Sequence, residues 1–488
     1  MSQSIVRAHI QATLTTTSLA HFGSSHAGDD NIQHVCRDAD GKPYLPGSSL
    51  RGALRSLAES LPQSTDVLYS LFGKATEDDD QQIHTGKARI FDALSVNTDD
   101  SKDAATLTVH RDHVSLNPIT RSAEEHKLFT VEYIKAGNAF GFTAELHYPT
   151  KEEIIAFTAL LQRLASSDIA SQTGYLLGGK KSQCFGAFSL SNVNIRLTHE
   201  DALCEWLLAE NTEISALTTK DRIEDWSEDY QHAAQTHFPL SNAQQWQSYT
   251  LNVQAISPLL IKQEQEHEQN LLTTMRQDGK LVILASSMRG MLRAHCRKIL
   301  MTMAFADTGL PLDQDTQQPK QHIIDALLDQ WFGNTEQSSL IRVSDFVASD
   351  AAPQQRSMIA IDRFSGGGKD GALFSIDCEQ PEHIEGQLWL SAATQAETTP
   401  ALAALLTYLL RDGFEDDWFI GMGRSKGLGA IRLTSTDLIP CCALIPDAQQ
   451  SSATCHDKDA WLNAQPTDTF REAHQALTQC LSQPLSHE

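Results

Sequence analysis

Two stretches of the chain, Ile5 to Leu14 and Tyr249 to Ile256, alternate apolar with polar residues, the period of a strand with one face in a core. A long polar loop follows each. Then the period changes: in Ser48 to Leu61 and Ser286 to Leu300 apolar residues recur at helical spacing, behind serines suited to N-capping. Each half continues as strand, hairpin, strand, helix, glycine-rich loop and closing strand. Strands and helices mixed in this order predict a ferredoxin-like α+β sheet with insertions, present twice.

The repetition is also literal. DGKPYLPGSSLRGALR from Asp40 to Arg55 returns as DGKLVILASSMRGMLR from Asp278 to Arg293, with nine of sixteen positions identical at an offset of 238. Later landmarks keep their order. LFG at Leu71 to Gly73 answers WFG at Trp331 to Gly333, and ARIFDA around Asp92 answers IRVSDF around Asp345. The stretch with Thr120, Arg121, Leu128 and Phe129 answers the one with Asp362, Arg363, Leu373 and Phe374. GGKKSQCFGAFSL from Gly178 answers GMGRSKGLGAIRL from Gly421, without a gap. Five landmarks in one order mark a duplication. The expected domains are residues 1–197 and 249–437, joined by a helical acidic connector at 198–248 and followed by a tail at 438–488. In the tail, Trp461 and the run from Phe470 to Leu481 predict a helix that docks on a domain or a partner.

Composition narrows the function classes. The chain has 488 residues, enough for two or three cores, and no apolar stretch approaches the roughly 18 residues of a membrane span. Residues 1–10 show no apolar segment followed by a small-residue cleavage site. Nine scattered cysteines without a C-x-x-C pair fit a reduced, cytoplasmic setting, with Cys441 and Cys442 expected at a strand end. A net charge of -24 argues against indiscriminate polyanion binding, so any nucleic acid must lie on a local basic track.

Such a track is written beside the glycines. Backbone amides without side chains in the way approach phosphate closely, and Lys180, Lys181, Arg424 and Lys426 add charge. A nucleotide-binding loop is the rival, because GYLLGGKKS from Gly174 nearly matches G-x-x-x-x-G-K-[ST]; solvated lysines on a plain turn are the other. On the first helix of each copy, Arg51 and Arg55, like Arg289 and Arg293, are spaced four apart and share a face. With Ser48, Ser49, Ser286 and Ser287 at the helix start they form a candidate phosphate site.

These motifs carry a resemblance. DGKPYLPGSSLRGALR is similar to the helix signature of the RAMP superfamily (repeat-associated mysterious proteins), GGKKSQCFGAF and GMGRSKGLGAIRL to its glycine loops, and IAIDRFSGGGKDGALF to its inserted hairpin. The chain resembles two fused guide-RNA-binding backbone subunits of type III CRISPR effector complexes, like the double-backbone proteins of subtype D. The resemblance implies RRM-like palms that grip guide RNA, and thumb hairpins, here around Ile119 to Phe129 and Ile359 to Phe374, that splay guide–target base pairs. Arg121 and Arg363 would hold phosphates there.

It also implies an aspartate, in the loop before the helix, that supports metal-dependent cleavage of target RNA. Asp30 is the best match and the expected metal ligand, for Mg2+ or Mn2+, with Asp29 next. At an offset of 238, Asp30 faces Glu268 and Asp29 faces His267, so cleavage is expected mainly at the first copy. The function expected is an RNA-guided endoribonuclease whose partners are guide RNA, target RNA and other type III subunits. A binding-only scaffold is one alternative. A guide-precursor processing ribonuclease built on histidines such as His21, His26 and His34 is another.

Overall fold

In strand β1 (Ile5–Thr16), Ala8, Ile10, Ala12 and Leu14 are buried in alternation with polar neighbours. The computed structural model describes residues 4–24, 32–59, 65–73, 85–96, 107–117, 122–165, 175–201, 203, 222–223, 246–263, 271–277, 279–305, 314–349, 351–391, 398–445, 455 and 457–482. Its two compact units are Met1–Ser115 with Glu124–Gln245, and Trp246–Glu488 with Leu116–Ala123.

In the first unit β1 is followed by β2 (Ile32–Gln33), α1 (Gly47–Glu59), α2 (Thr65–Phe72), β3 (Ala88–Ile90) and β4 (Leu94–Ser95). The hairpin β5 (Thr108–Leu116) and β6 (Ala123–Ile134) comes next, then β7 (Ala139–His147), α3 (Lys151–Ala165), β8 (Phe188–His199) and β9 (Arg222–Ile223). The main sheet runs β3-β7-β1-β8-β9, with β4 also on β7. Ile10 lies between Ala144 of β7 and Ile195 of β8, both strands antiparallel to β1. Reading β3, β7, β1 and β8 as strands two, three, one and four gives the ferredoxin-like order. Leu50, Leu54 and Leu57 of α1, with Ile154, Phe157 and Leu161 of α3, close the core, each side chain worth roughly 1.5–3 kcal/mol of burial. The short strand β9 extends this sheet from within the connector that the sequence predicts as helical.

The second unit repeats the order. It comprises β10 (Trp246–Ala255), β11 (Lys262–Gln263), β12 (Leu271–Thr274), β13 (Arg276–Gln277), β14 (Lys280–Ile283), α4 (Ala285–Phe305), α5 (Gln314–Phe332), β15 (Ile341–Val343) and β16 (Phe346–Ala348). The hairpin β17 (Gln354–Ile361) and β18 (Gly368–Cys378) follows, then β19 (Ile384–Ser391), α6 (Thr399–Phe414), β20 (Trp418–Phe419) and β21 (Ala430–Thr436). Its sheet runs β13-β14-β16-β19-β10-β21-β20, with β15 on β19.

The chain ends in α7 (Pro440–Leu444), α8 (Lys458–Asn463) and α9 (Thr467–Ser482). Ala473, Leu477 and Leu481 of α9 join the core of the second unit beside α6, and the Trp461 indole donates to the Leu438 carbonyl at 2.9 Å. The tail thus docks on its own unit. Cys441 and Cys442 sit in α7 rather than at a strand end, because Pro440 starts a helical turn there. Among the described residues no helix is long and apolar enough to cross a membrane.

Candidate nucleic-acid interface

The two glycine loops share one backbone path. Positive φ occurs at Gly178, Lys180, Cys184 and Gly186 in the first unit and at Gly421, Gly423, Gly427 and Gly429 in the second, always 243 positions apart. Between the middle pair lies one 3-10 turn, Lys181–Gln183 or Arg424–Lys426. Gly179 donates to the His21 carbonyl as Met422 does to that of Leu260. Glycine is obligatory at the last of the four positions: a Cβ on Gly186 would lie 1.9 Å from the Leu177 oxygen, and one on Gly429 2.2 Å from the Ile420 oxygen. Each turn leads into a strand, β8 or β21, not into the helix a nucleotide-binding loop requires, which removes that rival.

Beside each loop stands its hairpin. Ile32 and Gln33 of β2 run parallel to β6 at Thr130 and Val131, and Leu271 and Leu272 of β12 run parallel to β18 at Ser375 and Ile376. The Lys180 ammonium lies 5.5 Å over the Phe129 ring, and the Lys426 ammonium 4.8 Å over that of Phe374. Burial lowers the Lys180 pKa. Lys181, on the same loop, lies 5.8 Å over Tyr175. Each unit therefore joins a cationic loop to the thumb through an aromatic ring, although Lys180 and Lys426 are not equivalent loop positions.

The thumbs expose apolar side chains. Val114, Leu116 and Leu128 do so in the first. In the second, Ile359 and Ile361 lead to Phe364, fully exposed at the tip of a turn in which Asp362 accepts the Phe364 and Ser365 amides. Arg363 is exposed in that turn, whereas Arg121 lies outside the described residues.

The helix signature takes its caps from elsewhere in the chain. The N-terminus of α1 is capped by Asp92, which accepts the Gly47 N–H at 2.7 Å, and that of α4 by Asp345, which accepts the Ala285 N–H at 2.7 Å. Ser48, Ser49, Ser286 and Ser287 lie inside the first helical turn and are not the caps. Arg51 donates to the Phe72 carbonyl at the end of α2, and Arg289 to the Phe332 carbonyl at the end of α5. Arg293 bonds the Leu328 carbonyl and Asp329, while Arg55 pairs with Glu59. Carbonyls at a helix C-terminus attract cations, so Arg51, Arg289 and Arg293 fasten one helix to the end of the next. Burial, and then Arg293, pushes the Arg289 pKa down to about 10, which leaves it charged.

A second pair of arginines has no counterpart among the sequence motifs. Arg37 pairs with the buried Glu132 of β6, and Arg276 with the buried Glu379, which directly follows β18. Burial opposes the Glu132 charge, but the Val35 N–H, the Thr108 hydroxyl and Arg37 together hold its pKa below the usual carboxylate range. At Glu379 burial prevails over Arg276 and raises the pKa.

Arg37 and Arg276 also carry the register. Gly23 bridges Val35 and Lys262 pairs with Thr274; Ile32 answers Leu271. All these equivalents stand 239 positions apart, and the offset becomes 238 only at Gly41 and Gly279, the carbonyls that the two arginines bond. One extra residue in the Arg37–Gly41 turn accounts for the change. Asp29, Asp30 and Glu268 lie outside the described residues, but both flanks of their loops follow 239. Asp29 then corresponds to Glu268 and Asp30 to Gln269, which corrects the pairing of Asp30 with Glu268.

Comparison with curated proteins returns no match. The model of the RAMP superfamily matches residues 13–189 and 252–432, one region in each unit and together well over half of the chain. Two units with the same order of central strands, the same loop path and a thumb each, both matched by that model, make this chain a duplicated member of the RAMP superfamily of CRISPR-associated RNA-binding proteins.

Proposed function

We propose that the chain is a backbone subunit of a type III CRISPR ribonucleoprotein, binding guide RNA through both units and cleaving complementary target RNA, in company with other subunits of that complex. The observation that carries this reading is the paired loop–thumb junction, in which Lys180 meets Phe129 and Lys426 meets Phe374. Lys180, Lys181, Arg424 and Lys426 supply the local charge an acidic chain needs to hold a phosphate backbone. Ile359, Ile361 and Phe364 supply apolar surface for stacking or wedging against bases, with Arg363 on phosphate. Arg51 and Arg289 act in the support of this surface.

Cleavage is assigned to the loop with Asp29 and Asp30. Their carboxylates are hard oxygen donors of the kind Mg2+ and Mn2+ take, and such an ion would polarise a phosphoryl oxygen. With Gln269 opposite Asp30, the second loop keeps a carboxylate, Glu268, at only one of the two matched positions. The protein's own contribution is to hold target RNA in place beside that loop.

The test is denaturing-gel mapping of a labelled target on the assembled guide complex, with Asp29→Ala, Asp30→Ala and Glu268→Ala. Loss of one product band in Asp30→Ala, target binding unchanged, is expected, as is loss of cleavage with chelator. Silence of both aspartates sinks the catalytic assignment and leaves the scaffold. Guide binding is tested separately by a variant with glutamate at Lys180, Lys181, Arg424 and Lys426, which should bind all guides more weakly and with a shallower salt dependence. Unchanged RNA association would reject the clamp.

A further inference from the structure

We infer that His34, His110 and Glu132 form a binding site for one borderline-soft divalent cation, of which Zn2+ is the type, at the base of the first thumb. His34 directly follows β2, His110 lies in β5 and Glu132 in β6, and these are the three strands of one small sheet. The residues offer one ligand atom each, all within 4.8 Å of one another. His34 Nδ1 and Glu132 Oε2 are 3.2 Å apart. That is close to the edge of about 3.3 Å of a tetrahedron with zinc bonds of ~2.0–2.1 Å.

The surroundings suit a metal ligand as well. Glu132 is 1% exposed, with its oxygens oriented by the Val35 N–H and Arg37, the type of outer support that fixes ligating carboxylates. His110 is exposed, so three protein ligands leave a fourth position toward solvent. Two imidazoles and a carboxylate select Zn2+ or Co2+ over Mg2+, which separates this site from the ion assigned to the aspartate loop.

The second unit argues that these histidines are not needed for the fold. It keeps the arginine–carboxylate pair as Arg276 and Glu379 but has Thr273 where His34 stands, by the 239 register. Contacts of Thr130 with Asp112 and of Phe129 with His113 place His110 across from Glu132. The corresponding cross-strand pair of the second thumb is Gln355 and Asp377. Both histidines thus occur in the first unit only. A bound ion would fasten β2, held to β6 by two residue pairs, and with it the end of the aspartate loop.

The experiment needs no RNA and does not depend on the cleavage reading. The full chain, stripped with chelator, is titrated with Co2+ and followed by visible absorption, then challenged with Zn2+ and with excess Mg2+. One equivalent of Co2+, displaced by Zn2+ and indifferent to Mg2+, is expected. His34→Thr and His110→Gln, the residues of the second unit, should each weaken binding ~100-fold or more, since loss of outer support alone costs about 10–100-fold. Unchanged circular dichroism shows that these variants fold. Failure of the wild-type chain to bind Co2+, or equal affinity in both variants and wild type, overturns the site.

Discussion

The Asp345 carboxylate accepts the backbone N–H of Ala285 at 2.7 Å and so starts helix α4 from 60 residues further along the chain. Asp345→Ala should cost the second unit about 0.5–2 kcal/mol, the range for loss of a helix cap, and Asp345→Asn much less, since its amide oxygen accepts the same bond. Ser287→Ala, inside the first turn, should stay within about 0.5 kcal/mol of wild type. Equilibrium urea unfolding measures all three. Equal losses for Asp345→Ala and Ser287→Ala would return the cap to the serine.

Gly429 and Gly427 both have positive φ but differ in surroundings. A methyl group at Gly429 meets the Ile420 carbonyl, whereas nothing lies within 4 Å of one at Gly427. Gly429→Ala should therefore displace the loop and weaken guide binding. Gly427→Asn should cost no more than ~1 kcal/mol, because asparagine tolerates the left-handed region and Cys184 already holds the equivalent place. Guide titration of both variants decides; equal binding would show that the close approach is dispensable.

His21 is buried between the glycine loop and the thumb, its Nδ1 2.9 Å from the Glu132 carbonyl oxygen. Burial lowers its pKa from the ordinary 6.5, the Glu132 bond opposes that, and the Lys180 charge adds to it. The unfolded chain therefore takes up a proton near pH 6.5 that the folded chain resists, and stability falls as pH drops below that value. His21→Leu, which installs the Leu260 of the second unit, should remove this part of the acid sensitivity. Unfolding midpoints at about pH 7.5 and about pH 5.5 test it; an equal drop in wild type and variant would refute the role of His21.

Phe364 and Ile361 should matter for target pairing more than for guide loading. Replacing both by alanine should leave guide affinity within about twofold and weaken the guide–target complex by ~1–3 kcal/mol for each base that no longer stacks on the thumb. Binding assays with and without target separate the two. A weakening confined to guide loading would place the thumb tip on the guide alone.

Where structure is local, the sequence is legible. The opening strands, the two signature helices, the glycine loops and the tail helix are found where periodicity places them, within a few residues. What escapes is contact across long separations. Asp92 and Asp345 cap helices 45 and 60 residues away, so the nearer serines look like the caps. Arg37 reaches Glu132 over 95 residues, and nothing in either neighbourhood announces it. A constant offset through the helix signature also hides the extra residue in the Arg37 turn, although Arg276 standing 239 positions on is a signal for it.

The register of the two thumbs equates Thr130 with Ser375 and hence Glu132 with Asp377, yet Arg276 pairs with Glu379, two positions further along. The two halves have kept the bond while moving one of its ends. β5 and β6 grafted into the second unit would bring Glu132 to the place of Asp377, so Arg276 would have to take the partner that Arg37 takes in the first. The two copies thus agree in fold while each arginine fastens its thumb at a different point along the strand.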